Sequence, residues 1–340
     1  MIAHPVHETD VAIIGAGPVG LFAAFECGMM RLRCHLIDAL DTWGGQCAAL
    51  YPEKPIYDIP GFSKVDGAEL VQRLYDQAAP FNPTYHLDQQ VEQLQRTPDD
   101  RWQLVTSKGV VIVAKVVVIA AGVGAFGPNR PPLDHLEDYE GKSVHYYVKR
   151  REDFRGKRIV IAGGGDSAVD WALSLAEVAE HIYVVHRRAK FRAAPESTAQ
   201  LERLAQDNKI ELVIPYQLHG LKGRDGVLEA VEVATLEGDI KTLEADTLLP
   251  FFGLATSLGP ITAWGLNFDK STIAIDPLTT ATNLPGVFAI GDVATYPHKL
   301  KLILCGFSEA AQAAHQARKV IYPDEAWHFE YSTTSGVPRA

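Results

Sequence analysis

The sequence predicts an α/β chain of two doubly wound halves, and three observations predict it. One pattern occurs twice with its first glycines, Gly15 and Gly163, 148 positions apart: a β-branched run, a glycine-rich turn, a helical stretch and a second strand. The 340 residues exceed what one core comfortably fills, since domains usually run to about 100–200 residues. With 47% apolar and 22% charged residues, the chain has enough material for two cores.

In the first copy, residues 11–14 lead into Gly15-Ala-Gly17-Pro-Val-Gly20; residues 21–27 read as helix and 33–37 as the next strand, ending at Asp38. Residues 85–121 carry short β-rich segments with turn signals at 97–100 and 108–109, read as a meander whose last strand is 116–120. The Gly/Pro-rich stretches 122–132 and 250–260 read as a crossing into a second domain and a crossing back. The expected division is therefore 1–121 and 255–340 for a discontinuous first domain, with 126–250 as the second. In the second copy, residues 158–162 lead into Gly163-Gly-Gly165-Asp-Ser-Ala168, then a helix to about Glu180 and a strand at 182–185. Near the end, a strand at 286–290 runs into Gly291-Asp292, and an alanine-rich helix follows from about Ser308 to Val320.

Each turn suits a phosphate. Gly15 permits the tight bend, Gly17 lets the backbone approach a pyrophosphate, and Gly20 lets the helix pack close to the strand. The helix N-terminus then presents free N–H groups and the positive end of its dipole. Both halves thus read as Rossmann-like dinucleotide-binding domains. Asp38 stands where a carboxylate accepts hydrogen bonds from ribose hydroxyls. The same offset of 23 residues from Gly163 lands on His186, followed by Arg187 and Arg188. An acid there would repel a 2′-phosphate, whereas guanidinium forks bind one, so the second site is expected to select NADPH over NADH. Asp292, a strand-end carboxylate, reads either as a helix cap or as a group facing a ligand in the first site.

A net charge of −10 argues against nucleic acid or an anionic membrane as partner. No apolar run approaches the roughly 20 residues of a membrane span, and the first ten residues do not read as a leader, so a cytoplasmic location is expected. Cys27, Cys34, Cys47 and Cys305 form neither a C-x-x-C pair nor metal-ligand spacing, so they read as buried small residues and no metal is expected.

With these pieces placed, the chain resembles the flavoprotein disulfide reductases with two dinucleotide domains, specifically the small thioredoxin-reductase-like group. The residues that carry the resemblance are Gly15 to Gly20, Gly44-Gly-Gln46, Gly163 to Ala168, His186-Arg187-Arg188 and Gly291-Asp292. Members that reduce thioredoxin carry a C-x-x-C just before the second glycine turn; here residues 143–152 contain no cysteine. A thiol-free member with a tail beyond the last helix resembles the bacterial, homodimeric ferredoxin–NADP reductases of this type. That resemblance implies FAD in the first domain and NADPH in the second. Hydride would pass from NADPH to the flavin, and single electrons from there to ferredoxin or flavodoxin. It places Tyr51 on one flavin face and Tyr331, from a C-terminal extension of the partner subunit, on the other. Asp58 and Ser332 or Thr333 would lie near flavin N5, while Gln46, Val91, Phe126 and Asp292 would contact FAD. Residues 149–158, six cations against two anions, would offer a docking face for an acidic ferredoxin. Two alternatives stay open: a reductase of flavodoxin, quinone or metal chelates, or a non-catalytic NADPH-binding redox sensor.

Overall fold

The structure is a computed structural model that describes residues 6–325 and residue 336. The chain divides into two compact units, one formed by Met1–Ala125 with Thr256–Ala340, the other by Phe126–Ala255.

The first unit is organised by the strand Val6–Ile14. It pairs in parallel with Cys34–Ile37 on one side and with the long strand Val111–Ile119 on the other. Thr84–His86 extends the parallel part as an edge strand, and Trp102–Thr106 and Val91–Arg96 add an antiparallel meander. Val111–Ile119 divides its outer edge: residues 111–114 pair with the meander, and residues 117–119 take Val287–Ala289 in parallel. The returning chain therefore completes the sheet begun at the N-terminus. Alternation sorts the central strand into two cores. Val11 and Ile13 pack with Leu21, Leu36, Val116 and Ala314 on one face, and Ala12 and Ile14 with Leu104, Val117 and Ile273 on the other.

The helix Pro18–Met29 lies on the first of those faces against Ile303–Ile321 and Gly67–Ala78. Close approach is possible because its inward positions are small: Gly20, Ala23, Ala24 and Gly28 are buried. The last helix starts five residues before the expected Ser308, because Ile303, Gly306, Ala310, Ala313, Ala314 and Ala317 continue one apolar stripe.

The second unit centres on a four-stranded parallel sheet in the order Ile210–Val213, His181–Val185, Arg158–Ala162, Thr247–Pro250. A three-stranded antiparallel sheet, Gln217–Arg224, Val227–Ala234 and Ile240–Glu244, packs its Val231 and Val233 with Val160 and Val185. The helix Asp166–Leu175 stops five residues short of the expected Glu180. The peptide groups that follow turn to a neighbour: Gly156 N–H donates to Val178 O at 2.9 Å, and Glu180 N–H to Lys157 O at 3.0 Å. Among the described residues no helix is long and apolar enough to cross a membrane.

Candidate functional site

The first glycine turn is tight for a visible reason. Gly15 has φ +111°, and a Cβ there would meet Ala120 O at 2.3 Å; one on Gly20 would meet Gly15 O at 1.9 Å. Gly17 differs, because a Cβ there would find only Gly45 Cα, at 3.9 Å. Two of the three glycines are thus needed by the fold, and the third leaves the backbone open on the side a ligand would approach. The helix behind it begins with Gly17 as cap and no side-chain cap bond, so its first N–H groups are not claimed by a neighbouring side chain.

Asp38 closes this turn. Its Oδ2 accepts Ala16 N–H at 2.6 Å and its Oδ1 accepts Leu40 N–H at 2.9 Å. Burial pushes its carboxyl above the usual range, and the two N–H bonds pull partly back. Its own backbone bonds to the neighbouring segment, with Asp38 N–H donating to His86 O and Gln89 N–H to Asp38 O, both at 3.0 Å. That staple draws Val91, 2% exposed, into the same neighbourhood.

Gln46 lies on the short helix Gly45–Ala49, entered through left-handed Gly44, and its Nε2 would sit 3.8 Å from a Cβ on Gly122. One turn on, Cys47 Sγ donates to Tyr51 Oη at 3.6 Å. The Tyr51 ring is half-buried, with Lys54 Nζ 5.9 Å from its centre. Asp58 is exposed. Asp292 sits in the single 3₁₀ turn Gly291–Val293, eleven residues before the last helix begins, so it does not cap that helix. Burial raises its carboxyl, with Lys301 and Lys299 opposing. Phe126 is the first residue of the second unit, half-buried on the strand Ala125–Pro128. Tyr331, Ser332 and Thr333 lie outside the described residues.

One residue of this region escapes sequence reasoning. Glu309, 3% exposed, accepts Gly291 N–H at 2.7 Å and Tyr296 Oη–H at 2.9 Å, and pairs with buried Lys299. It fixes the loop that carries Asp292. The signal was available, since Glu309 falls on the buried stripe of Gly306, Ala310 and Ala313.

The second turn repeats the plan with other contacts. Gly163 has φ +155°, and a Cβ there would meet Phe251 O at 2.7 Å; a Cβ on Gly165 would meet nothing within 4 Å. Gly165 caps Asp166–Leu175 with no side-chain cap bond, and Ala168 is fully buried. His186, 8% exposed, lies against Gly164, where a Cβ would stand 2.2 Å from the ring. It stacks on Phe191 with ring centres 5.2 Å apart, and burial pulls it below its ordinary value. Arg187 and Arg188 are exposed, and among the described residues neither has an ion-pair partner. Both glycine turns therefore fit a dinucleotide, with bare backbone at Gly17 and Gly165 and uncapped helix ends behind them.

Comparison with known proteins agrees with this geometry. The family model described as pyridine nucleotide-disulphide oxidoreductase matches residues 9–319. The chain belongs to that family. Two similar relatives are ferredoxin–NADP reductases by name. That of Paramagnetospirillum magneticum is 63% identical over 98% of this chain and 99% of its own length; that of Granulibacter bethesdensis is 64% identical over 97% and 95%. Among solved structures, Lactococcus lactis thioredoxin reductase superposes with a TM-score of 0.78 at 25% identity, covering 93% of this chain and 99% of that one. Thioredoxin reductase of T. acidophilum gives 0.79 at 22% identity over 92% and 98%, a likeness of fold.

As a pyridine nucleotide-disulphide oxidoreductase the chain has its cysteines placed unevenly. All four cysteines belong to the first unit and none to the second. Cys27, Cys34 and Cys47 are buried, and burial pushes the Cys34 thiol to about 12 and the Cys47 thiol to about 11. Thiols held protonated in this way are poor nucleophiles. The basic run is largely neutralised, partly by its own acids and partly by others: Arg155 pairs with Glu152, Arg150 with Asp153, Arg151 with Glu177, and Arg158 with Glu244 and Asp246.

Proposed function

We propose that this chain is an FAD-dependent ferredoxin–NADP(+) reductase, carrying electrons between NADPH and a one-electron iron–sulfur protein. The observation that carries the reading is the pair of glycine turns with opposite charge at the strand end, Asp38 beside one and Arg187 with Arg188 beside the other. The cysteine-free second unit supports it, because a dithiol relay from that unit has no sulfur to use.

Bound FAD supplies two-electron exchange with nicotinamide and one-electron exchange with the partner. The chain's own residues hold and screen. Backbone N–H groups after Gly15 and Gly17 bind the first pyrophosphate, Asp38 takes the ribose, and Gln46 and Val91 border the cofactor. The Tyr51 ring would cover the flavin, Phe126 would add a contact, and Asp292 would hold the ribityl side. Asp58 and, in a homodimer, Ser332 or Thr333 of the tail would be the groups that hold a proton near N5, and Tyr331 would cover the second face. Gly163, Gly165 and Ala168 form the second pyrophosphate turn, His186 floors it, and Arg187 and Arg188 clamp the 2′-phosphate.

Steady-state NADPH oxidation with ferredoxin and cytochrome c tests this reading. Turnover that requires ferredoxin is the expected result. Equal turnover with quinone or a metal chelate and no ferredoxin dependence would replace it with a broader reductase.

A further inference from the structure

On the strands that lead up to the first glycine turn, the first unit's sheet gathers three histidines. His7 lies on Val6–Ile14, His35 on Cys34–Ile37, and His86 ends the edge strand Thr84–His86. In the parallel register His86 stands opposite Ile37, two residues beyond His35, so His35 and His86 share a face of the sheet. His35 Nδ1 lies 2.9 Å from His86 Nε2, and the His7 ring centre lies 5.7 Å from that of His35 and 5.0 Å from that of His86. One ring nitrogen from each of the three falls within 4.8 Å of the other two. Separations of 28 and 51 positions hide the group from any spacing rule, and cysteine spacing, on which the expectation of no metal rests, does not touch it.

We infer that His7, His35 and His86 form a binding site for one divalent transition-metal ion, with Zn²⁺ the best match. Three imidazoles suit zinc, copper or nickel; magnesium and calcium demand oxygen ligands, and this cluster has none. Ligand nitrogens at about 2.0–2.1 Å from a tetrahedral ion stand about 3.4 Å apart, so the rings need only rotate inward to converge. The fourth position is left to water, as in an open zinc site. Burial pulls His35 down to about 4 and also lowers His86, so near neutral pH both rings keep a lone pair to donate. The ring that donates in the His35–His86 contact must change tautomer on binding, with no net proton lost.

The ion would tie together three strands at the edge of the sheet, where Thr84–His86 has only three residues of ladder. It would also hold His86, whose carbonyl accepts the Asp38 N–H. The test uses the full-length protein as purified, stripped with a chelator and dialysed. Titration with ZnCl₂ is expected to show one ion per chain and a raised Tm, and CoCl₂ to give the visible bands of four-coordinate Co²⁺. His7→Gln and His86→Gln should each weaken binding by at least about 10–100-fold and remove those bands. Unchanged circular dichroism would confirm that each variant folds, and His7→Gln, on the less buried residue, carries the test if the other does not. No binding at micromolar zinc, or one-to-one binding that both folded variants retain, would overturn the site.

Discussion

The two glycine turns have the same backbone plan and opposite polar completion. In the first, the residue 23 positions on is Asp38, whose carboxylate takes the N–H of Ala16. In the second it is His186, whose ring lies against Gly164, the residue in the place of Ala16. The same pair of positions meets in both units, once by a hydrogen bond and once by packing. On the proposed function, the turn would set where a phosphate sits, and the residues at the strand end would set which nucleotide follows. Desolvation acts on both groups in the same sense, toward the neutral form, raising Asp38 and lowering His186.

The third glycine position breaks the comparison hardest. A Cβ on Gly20 would overlap Gly15 O at 1.9 Å and stand 3.0 Å from Gly15 C, both backbone atoms that cannot move aside. Gly20→Ala should therefore cost about 3 kcal/mol or more and yield protein without bound flavin, read as a lower Tm and lost flavin absorbance. The second turn already carries Ala168 there, fully buried. Ala168→Gly should cost only about 1 kcal/mol of helix propensity and leave the NADPH Michaelis constant unchanged. Equal losses in the two variants would mean that the close approach at Gly20 is not what distinguishes the two turns.

Next in size is nucleotide choice. Arg187→Ala and Arg188→Ala should each raise the Michaelis constant for NADPH about 10–100-fold, the worth of a charged hydrogen bond of about 1.5–3 kcal/mol. That for NADH should not move. A parallel rise for both nucleotides would show that the arginines bind something other than the 2′-phosphate.

What the sequence displays and what it hides divides along local and tertiary lines. The glycine turns, Asp38 and the arginines were legible because each is a short motif whose geometry is settled within one βαβ unit. The end of Asp166–Leu175 was not, because beyond the closing turn at Ala176–Ala179 the Val178 carbonyl accepts Gly156 N–H and Glu180 N–H donates to the Lys157 carbonyl, contacts with a segment outside the helix. Glu309 was hidden for a different reason. A charged residue in an alanine-rich helix reads as solvated; the stripe it shares with Gly306, Ala310 and Ala313 hints at burial, and only Lys299 and the Gly291 N–H show what satisfies it there. The docking reading of residues 149–158 counted charges correctly but could not foresee that Arg151 and Arg158 find Glu177, Glu244 and Asp246 from distant parts of the second unit.

A smaller effect sharpens the first half of the comparison. Asp38→Asn keeps one accepting oxygen and loses the other, so either Ala16 N–H or Leu40 N–H goes unmet at a cost of about 1–3 kcal/mol. Removing a half-desolvated charge offsets part of that, so stability should fall by about 1 kcal/mol while FAD is released measurably faster. Hydride transfer from NADPH in the fraction that keeps FAD should be unaltered. A variant that keeps its FAD as tightly as the parent would separate Asp38 from the ribose and leave it a turn-closing residue alone.

The smallest effect is a pH dependence from His186. In the unfolded chain its ring takes a proton near pH 6.5. In the fold, burial lowers that value, the Lys190 carbonyl opposes the shift, and nearby Arg192, Arg188 and Arg187 reinforce it. Between the two values the unfolded state binds more protons, so the stability owed to a neutral His186 is full above about pH 6.5 and is lost as pH falls through the lowered value. His186→Phe keeps a ring against Gly164 and Phe191 and removes the titration, so its Tm should fall less steeply than the parent's below pH 6.5 and match it above. Phosphate or NADP(+) near Arg187 and Arg188 should shrink the parent's slope by favouring the protonated ring. Identical slopes in parent and variant would place the acid sensitivity elsewhere and leave His186 as a packing residue only.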